Sequence, residues 1–165
     1  SFNQDALTEA SKVLSDLLMF VGGSSGSTAG GVKTVTMGLV VLSAVSTMRG
    51  RRQVTVFGRS ISQEDISNAV SIALLVMGLS LLGAAVITVC DGCSFMNAIY
   101  ETISALCTVG LTTGITPTLC TASKLILIVF MFFGRVGIMT IGVGFMMGDR
   151  AKERVQYAQT TVMIG

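Results

Sequence analysis

Ser104-Ala105-Leu106-Cys107-Thr108-Val109-Gly110-Leu111-Thr112-Thr113-Gly114 lies within an apolar segment that runs from Phe95 to about Ile115. Glu101, the glycines and the threonines break that segment too often for a single membrane span, so it reads as a hairpin that enters the membrane and turns back. As a helix, Asn97 to Cys107 covers about 16 Å, roughly half of a ~30 Å hydrocarbon core. The return is then extended, and Thr108 to Thr112 at about 3.3 Å per residue covers a comparable distance. Gly110 sits at its centre, where a backbone without a Cβ can aim its carbonyl sideways.

Non-helical backbone at membrane depth persists only where it is buried in protein or lines a watery cavity. Thr108-Val109-Gly110 repeats the first three letters of the potassium-channel filter, whose carbonyls replace the hydration shell of the ion. The helix before it directs its negative dipole end at the same place. The stretch is therefore suited to a cation.

Composition places this stretch in a membrane protein. Of the 165 residues 51% are apolar and only 12% charged, and the mean hydropathy is +0.77. Ala69 to Cys90 is long enough to cross a bilayer, and Leu125 to Met147 crosses with one charge, Arg135. No cleavable signal pattern opens the chain, and Ser1 in place of a methionine reads as the start of a piece of a longer protein. Arg49, Arg51, Arg52 and Arg59 cluster after one apolar run and Arg150, Lys152 and Arg154 after another, so both clusters are expected on the cytoplasmic side. Between membrane spans, such basic patches argue poorly for nucleic acid. Cys90-Asp-Gly-Cys93 has the spacing of a redox or zinc motif, but the chain has no histidine and no second metal-binding pair, which favours chance occurrence in an outer loop.

The beginning of the chain repeats the plan. Gln4 to Phe20 has helical periodicity and an apolar end. It runs into Gly22-Gly-Ser-Ser-Gly26-Ser-Thr-Ala-Gly30-Gly31-Val-Lys33, which fails as a phosphate loop because Val32 separates Gly31 from Lys33. An offset of 84 residues places Gly26 on Gly110 and aligns Ser24, Ser25 and Ser27 with Thr108, Val109 and Leu111. Both stretches follow a short helix and precede a hydrophobic run ending in basic residues, which reads as an internal helix-filter-helix repeat. Ala69 to Cys90 is the first helix of the second copy, and the matching helix of the first copy is not in the chain. Val35 to Met48 is short for a span and carries Gly38, Ser43, Ser46 and Thr47, so a broken helix with an irregular turn at membrane depth is expected there. Ser62-Gln-Glu-Asp65 is a plausible helix start. Arg135, near the centre of its run, costs about 2.5–3.5 kcal/mol on insertion scales and must face a polar interior.

Three motifs carry a resemblance. Met19-Phe-Val-Gly-Gly-Ser-Ser-Gly-Ser-Thr-Ala-Gly-Gly-Val-Lys-Thr34, Thr108-Val-Gly-Leu-Thr-Thr-Gly-Ile-Thr116 and Phe133-Gly-Arg-Val-Gly137 resemble the Trk/Ktr/HKT superfamily of potassium transporters. The closing Tyr157 to Gly165 is similar to the end of the Ktr-type membrane subunit. The resemblance implies an all-α membrane protein of four helix, re-entrant pore loop, helix repeats with pseudo-fourfold symmetry around a pore. Residues 1–60 would be the third repeat without its first helix, 61–68 a cytoplasmic connection, 69–150 the fourth repeat and 151–165 a cytoplasmic tail.

It further implies potassium at a filter built from Ser24, Ser25, Gly26 and Ser27 and from Thr108, Val109, Gly110 and Leu111. Arg135 would be the pore arginine, and the run after Lys33, with Gly38 and Ser43, the gating loop. The implied partners are the N-terminal half of the same transporter, a second copy in a homodimer and a cytosolic nucleotide-binding ring, with sodium as activator or coupling ion. The expected activity is gated, channel-like potassium uptake across the cell membrane, without covalent chemistry or a covalent cofactor. The alternatives are a secondary transporter for another ion or small solute, and a nucleotide-binding protein or enzyme. No paired acid and base supports the last.

Overall fold

The structure, a computed structural model, describes residues 8–24, 30–50, 54–56 and 59–136. Five α-helices carry these residues: α1 Glu9–Phe20, α2 Thr34–Met48, α3 Gln63–Asp91, α4 Phe95–Leu106 and α5 Thr121–Val136. Two-residue strands β1 Thr55–Val56 and β2 Arg59–Ser60 pair antiparallel between α2 and α3, with Thr55 opposite Ser60. A single 3-10 turn, Thr116–Thr118, leads into α5.

Local signals set the helix ends. Thr8 caps α1 by accepting the Ser11 N–H, and the glycines after Val21 stop the helix. Ser62 caps α3 by accepting the Asp65 N–H at 3.1 Å, and its hydroxyl donates to the Asp65 carboxylate at 3.0 Å. At the other end Gly92, at φ 63°, closes α3 in the left-handed region and donates its N–H to the Thr88 carbonyl. The 29 residues of α3 reach about 43 Å, more than a ~30 Å hydrocarbon core. Among the described residues α3 alone is long and apolar enough to cross a membrane.

The core lies where α4 packs between α3 and α5. α3 turns Val76, Ala84 and Ile87 inward, and α4 is buried from Tyr100 to Leu106. Gly83 leaves room for the Phe130 ring of α5 beside Thr102. The Thr102 hydroxyl lies within reach of the Ser80 carbonyl of α3 at 3.2 Å and of its own Ile99 carbonyl at 2.9 Å. Small residues and a shared hydroxyl let these helices approach closely, as helices do in lipid.

Three expectations change. α2 is continuous over Thr34–Met48, with no irregular turn at Gly38 or Ser43. The Thr47 hydroxyl donates to the Ser43 carbonyl at 2.9 Å within the helix, so a polar residue there does not demand a break. α3 begins at Gln63 rather than Ala69, so most of the expected connection 61–68 is helical. α5 begins at Thr121 rather than Leu125. The far half of the span expected to end at Met147, the tail 151–165, and Arg51, Arg52, Arg150, Lys152 and Arg154 lie outside the described residues.

A candidate cation-binding loop

The segment between α3 and α5 leaves and returns at one end of the fold. Asp91, the last residue of α3, accepts the Cys120 N–H at 2.6 Å and the Ser123 hydroxyl at the start of α5. Residues 92–119 are therefore an excursion that goes in along α4, about 18 Å long, and comes back without helix until Thr116. Asp91 places a carboxylate against the N-terminus of α5, where the helix dipole favours it.

The return strand is fixed along its length. α4 ends when Cys107 and Thr108 turn back, the Thr108 N–H bonding the Ala105 carbonyl at 3.2 Å and the Val109 N–H the Ser104 carbonyl at 2.9 Å. The Ser104 hydroxyl donates to the Leu111 carbonyl at 2.5 Å, so that carbonyl is turned toward α4. Thr108, at φ 54°, and Gly110, at φ 83°, have left-handed backbones, and Val109 between them does not. Such alternation turns successive carbonyls toward one side. Among the described residues nothing donates a hydrogen bond to the carbonyls of Thr108, Val109 and Gly110. A Cβ at Gly110 would meet nothing within 4 Å, so its glycine answers to backbone conformation, not to space.

Beyond Gly110 the fastening passes to Glu101, which is 5% exposed. Its Oε1 accepts the Thr112 hydroxyl at 2.6 Å, the Thr113 N–H at 2.9 Å and the Thr113 hydroxyl at 3.2 Å, while Oε2 accepts the Thr116 hydroxyl at 3.0 Å. The sequence shows Glu101 only as an interruption of an apolar run. The usable signal was the pairing of a mid-helix acid with Thr112, Thr113 and Thr116 after the turn, since a buried carboxylate needs several donors.

The first glycine loop sits against the second. The Gly30 N–H donates to the Thr108 hydroxyl oxygen at 2.9 Å, and Gly31, at φ 78°, lies on the Cys107 side chain. Within the first loop, the Gly22 N–H bonds the Val32 carbonyl at 2.7 Å and the Thr34 N–H the Gly23 carbonyl at 3.3 Å. A cavity of about 380 Å³ separates the loops, bordered by Met19, Gly23, Gly30, Thr108 and Val109. α1 is also tied to α4, because the buried Lys12 donates to the Asn97 amide oxygen at 3.1 Å. Ser24 is described and exposed, whereas Ser25, Gly26 and Ser27, the expected centre of the first filter strand, lie outside the described residues.

Arg135 is in the last turn of α5, exposed, and borders a cavity of about 690 Å³ together with Glu101, Thr108, Gly110 and Leu111. Gly134 explains how α5 comes so near the loop. A Cβ there would strike the Leu106 carbonyl, so the helix crosses the end of α4 backbone to backbone. Gly38 and Ser43 lie on α2, apart from this arrangement, with open space around Gly38.

Comparison with known proteins agrees with this geometry. The chain is 34% identical over 164 residues to the potassium/sodium uptake protein NtpJ of Enterococcus hirae, a match covering 96% of this chain and 36% of that protein. It is 34% identical over 165 residues to the Ktr system potassium uptake protein B of Bacillus subtilis, covering 100% of this chain and 37% of the relative. The corresponding protein of Vibrio alginolyticus is 31% identical over 160 residues, covering 96% and 34%. The chain thus spans about a third of the length of the curated relatives it matches. The family model described as a cation transport protein, TrkH, matches residues 1–153. With helix, extended loop and helix in the order these motifs imply, the chain belongs to the TrkH family of cation transport proteins.

Proposed function

We propose that this chain forms part of a potassium-uptake pathway across the cytoplasmic membrane, with Thr108, Val109 and Gly110 offering backbone carbonyls to the dehydrated ion. One observation carries the reading: three successive carbonyls free of donors among the described residues, on a backbone of alternating φ, directly after the C-terminus of a buried helix. Carbonyl oxygens in that setting replace water around a cation, and the helix end adds a favourable partial charge. In this reading Ser24, Ser25, Gly26 and Ser27 supply a second strand, and the Gly30 N–H that follows them in the chain donates to the Thr108 hydroxyl oxygen. Leu111 bounds the strand, its carbonyl held by Ser104.

The pore in this reading has four such loops with pseudo-fourfold symmetry, the other two contributed by the rest of the transporter. Potassium is the transported ion, in keeping with the names of the relatives, and sodium is an activating or coupling ion. The assembled protein is a homodimer on a cytosolic nucleotide-binding ring, and it is a transporter without covalent chemistry. Arg135 is the pore arginine: it borders the same cavity as Thr108 and Gly110, and a guanidinium does not lose its proton.

Gly110→Ser tests the reading in the complete gene product expressed in cells that lack other potassium uptake. A side chain at φ 83° costs about 1–2 kcal/mol of backbone strain and moves the carbonyls. The expected outcome is a fall of about tenfold in potassium-over-sodium preference, equivalent to ~1.4 kcal/mol of differential binding. Unchanged uptake affinities for both ions would remove the filter assignment. In the same assay Arg135→Ala is expected to raise flux per inserted molecule and Arg135→Lys to stay near the parent, because the positive charge is retained.

A further inference from the structure

Glu101 has chemistry that the carbonyl pathway leaves unused. It is a buried carboxylate in the middle of α4, and all its bonds go to the returning strand, at Thr112, Thr113 and Thr116. Four donors reach its two oxygens, three on Oε1 and one on Oε2. Each of the three hydroxyls has one proton and directs it at the carboxylate. The Thr112 oxygen then accepts the Gly114 N–H at 2.9 Å, which carries the fastening one step further.

We infer that Glu101 is a positioning residue that sets the conformation of Gly110 and its neighbours by clamping the strand just beyond them, and so contributes to ion selection without touching the ion. This rests on the reading of Thr108 to Gly110 as the ion path. The strand has two stakes, both from α4: Ser104 holds Leu111, and Glu101 holds Thr112 to Thr116. Between Gly110 and the clamp there is only Leu111. A shift at Thr112 therefore reaches Gly110 through Leu111 and its bond to Ser104, and the glycine offers no side chain to resist what is passed on. Selection between two cations of equal charge depends on where the carbonyls stand, so a displaced clamp changes the ratio of the affinities. A carboxylate acting by its charge alone would change both affinities together.

Two substitutions separate shape from charge. Glu101→Gln keeps the length and loses the charge, whereas Glu101→Asp keeps the charge and shortens the reach by one carbon. Positioning predicts that Asp lowers the sodium-over-potassium ratio of KM values at least as much as Gln, by about fivefold or more, the order expected when charge-assisted hydrogen bonds are lost. The measurement is uptake kinetics of the complete gene product, normalised to inserted protein, with Gly110→Ser run in parallel.

Where the Glu101 variants insert poorly, Thr113→Val and Thr116→Val cut the clamp from the strand side with little change in volume, and each should lower the ratio about twofold. A normal ratio in Asp overturns the inference, because the shortened side chain then leaves the carbonyls in place, and a normal ratio in Gln with both affinities weakened together assigns the effect to charge instead. Normal ratios in all clamp variants, alongside an altered Gly110→Ser, overturn it and leave the ion path standing. Normal ratios throughout, Gly110→Ser included, remove both.

Discussion

α1 and α4 each have twelve residues and each end in a glycine-containing loop, yet their surroundings differ. α4 is buried from Tyr100 to Leu106, whereas α1 leaves Leu14 59%, Leu17 60% and Leu18 67% exposed. The difference does not come from apolar content, since the exposed residues of α1 are leucines. It comes from α3, which backs α4, while among the described residues no helix stands in that relation to α1. The loops differ in the same sense. The 84-residue offset places Leu17 where Glu101 stands, so the first loop lacks a carboxylate at that position. It is held by its own Gly22 to Val32 bond and by resting on Thr108 and Cys107. The second loop is backed by its own helices and fixed from behind, and the described ends of the first rest on it.

That asymmetry predicts where the molecule is least tolerant. Gly134→Ala puts a methyl group onto the Leu106 carbonyl, where neither backbone can yield without parting α5 from α4. The expected cost is about 1–3 kcal/mol or more, seen as a large loss of folded protein by size-exclusion profile and melting temperature in detergent. A normal yield and melting point would show that α5 does not press on the end of α4, and the account of the second loop as fixed from behind would fail.

The asymmetry also explains what the sequence could disclose. The end of α1 at Phe20, the cap at Ser62 and the short helix before Thr108 were legible because each is written locally, in periodicity, a capping residue or a glycine. The continuity of α2 was not. Lys33, Gly38, Ser43, Ser46 and Thr47 suggested a break, but the bond from the Thr47 hydroxyl to the Ser43 carbonyl is satisfied within the helix, and one glycine costs a helix only about 1 kcal/mol. Glu101, Gly134 and Asp91 were illegible in their roles because their partners lie elsewhere in the chain: threonines past a turn, a carbonyl at the end of another helix, the start of α5. The second glycine loop could be located from its letters, while the means of holding it depended on tertiary contacts.

A middling effect is expected at Asp91, which closes the excursion by joining the end of α3 to the start of α5. Asp91→Ala removes the acceptor for the Cys120 N–H and the Ser123 hydroxyl and takes a negative charge from a helix N-terminus. Loss of this capping interaction is expected to lower the melting temperature by roughly 2–4 °C. Asp91→Asn keeps one acceptor oxygen and should lose less. Equal melting points for all three proteins would mean that helix packing, without this tie, returns the chain to the end of α3.

The smallest effect belongs to the first repeat and bears on the corrected reading of α2. Gly38 lies within an unbroken helix, and a Cβ there would meet nothing within 4 Å. Replacing an unhindered helical glycine by alanine removes conformational freedom from the unfolded chain and adds no contact, so Gly38→Ala should stabilise by about 0.4–1 kcal/mol. A melting temperature raised by a few degrees, with uptake velocity and affinity unchanged, would mark this stretch as an ordinary helix beside α3. An irregular turn requires the opposite result, because alanine at a hinge glycine strains the backbone or locks it and alters maximal uptake. The same substitution in the second repeat, Gly134→Ala, is expected to be among the most damaging. The contrast between the two alanines therefore tests whether burial behind α4, and not glycine itself, decides what each repeat tolerates.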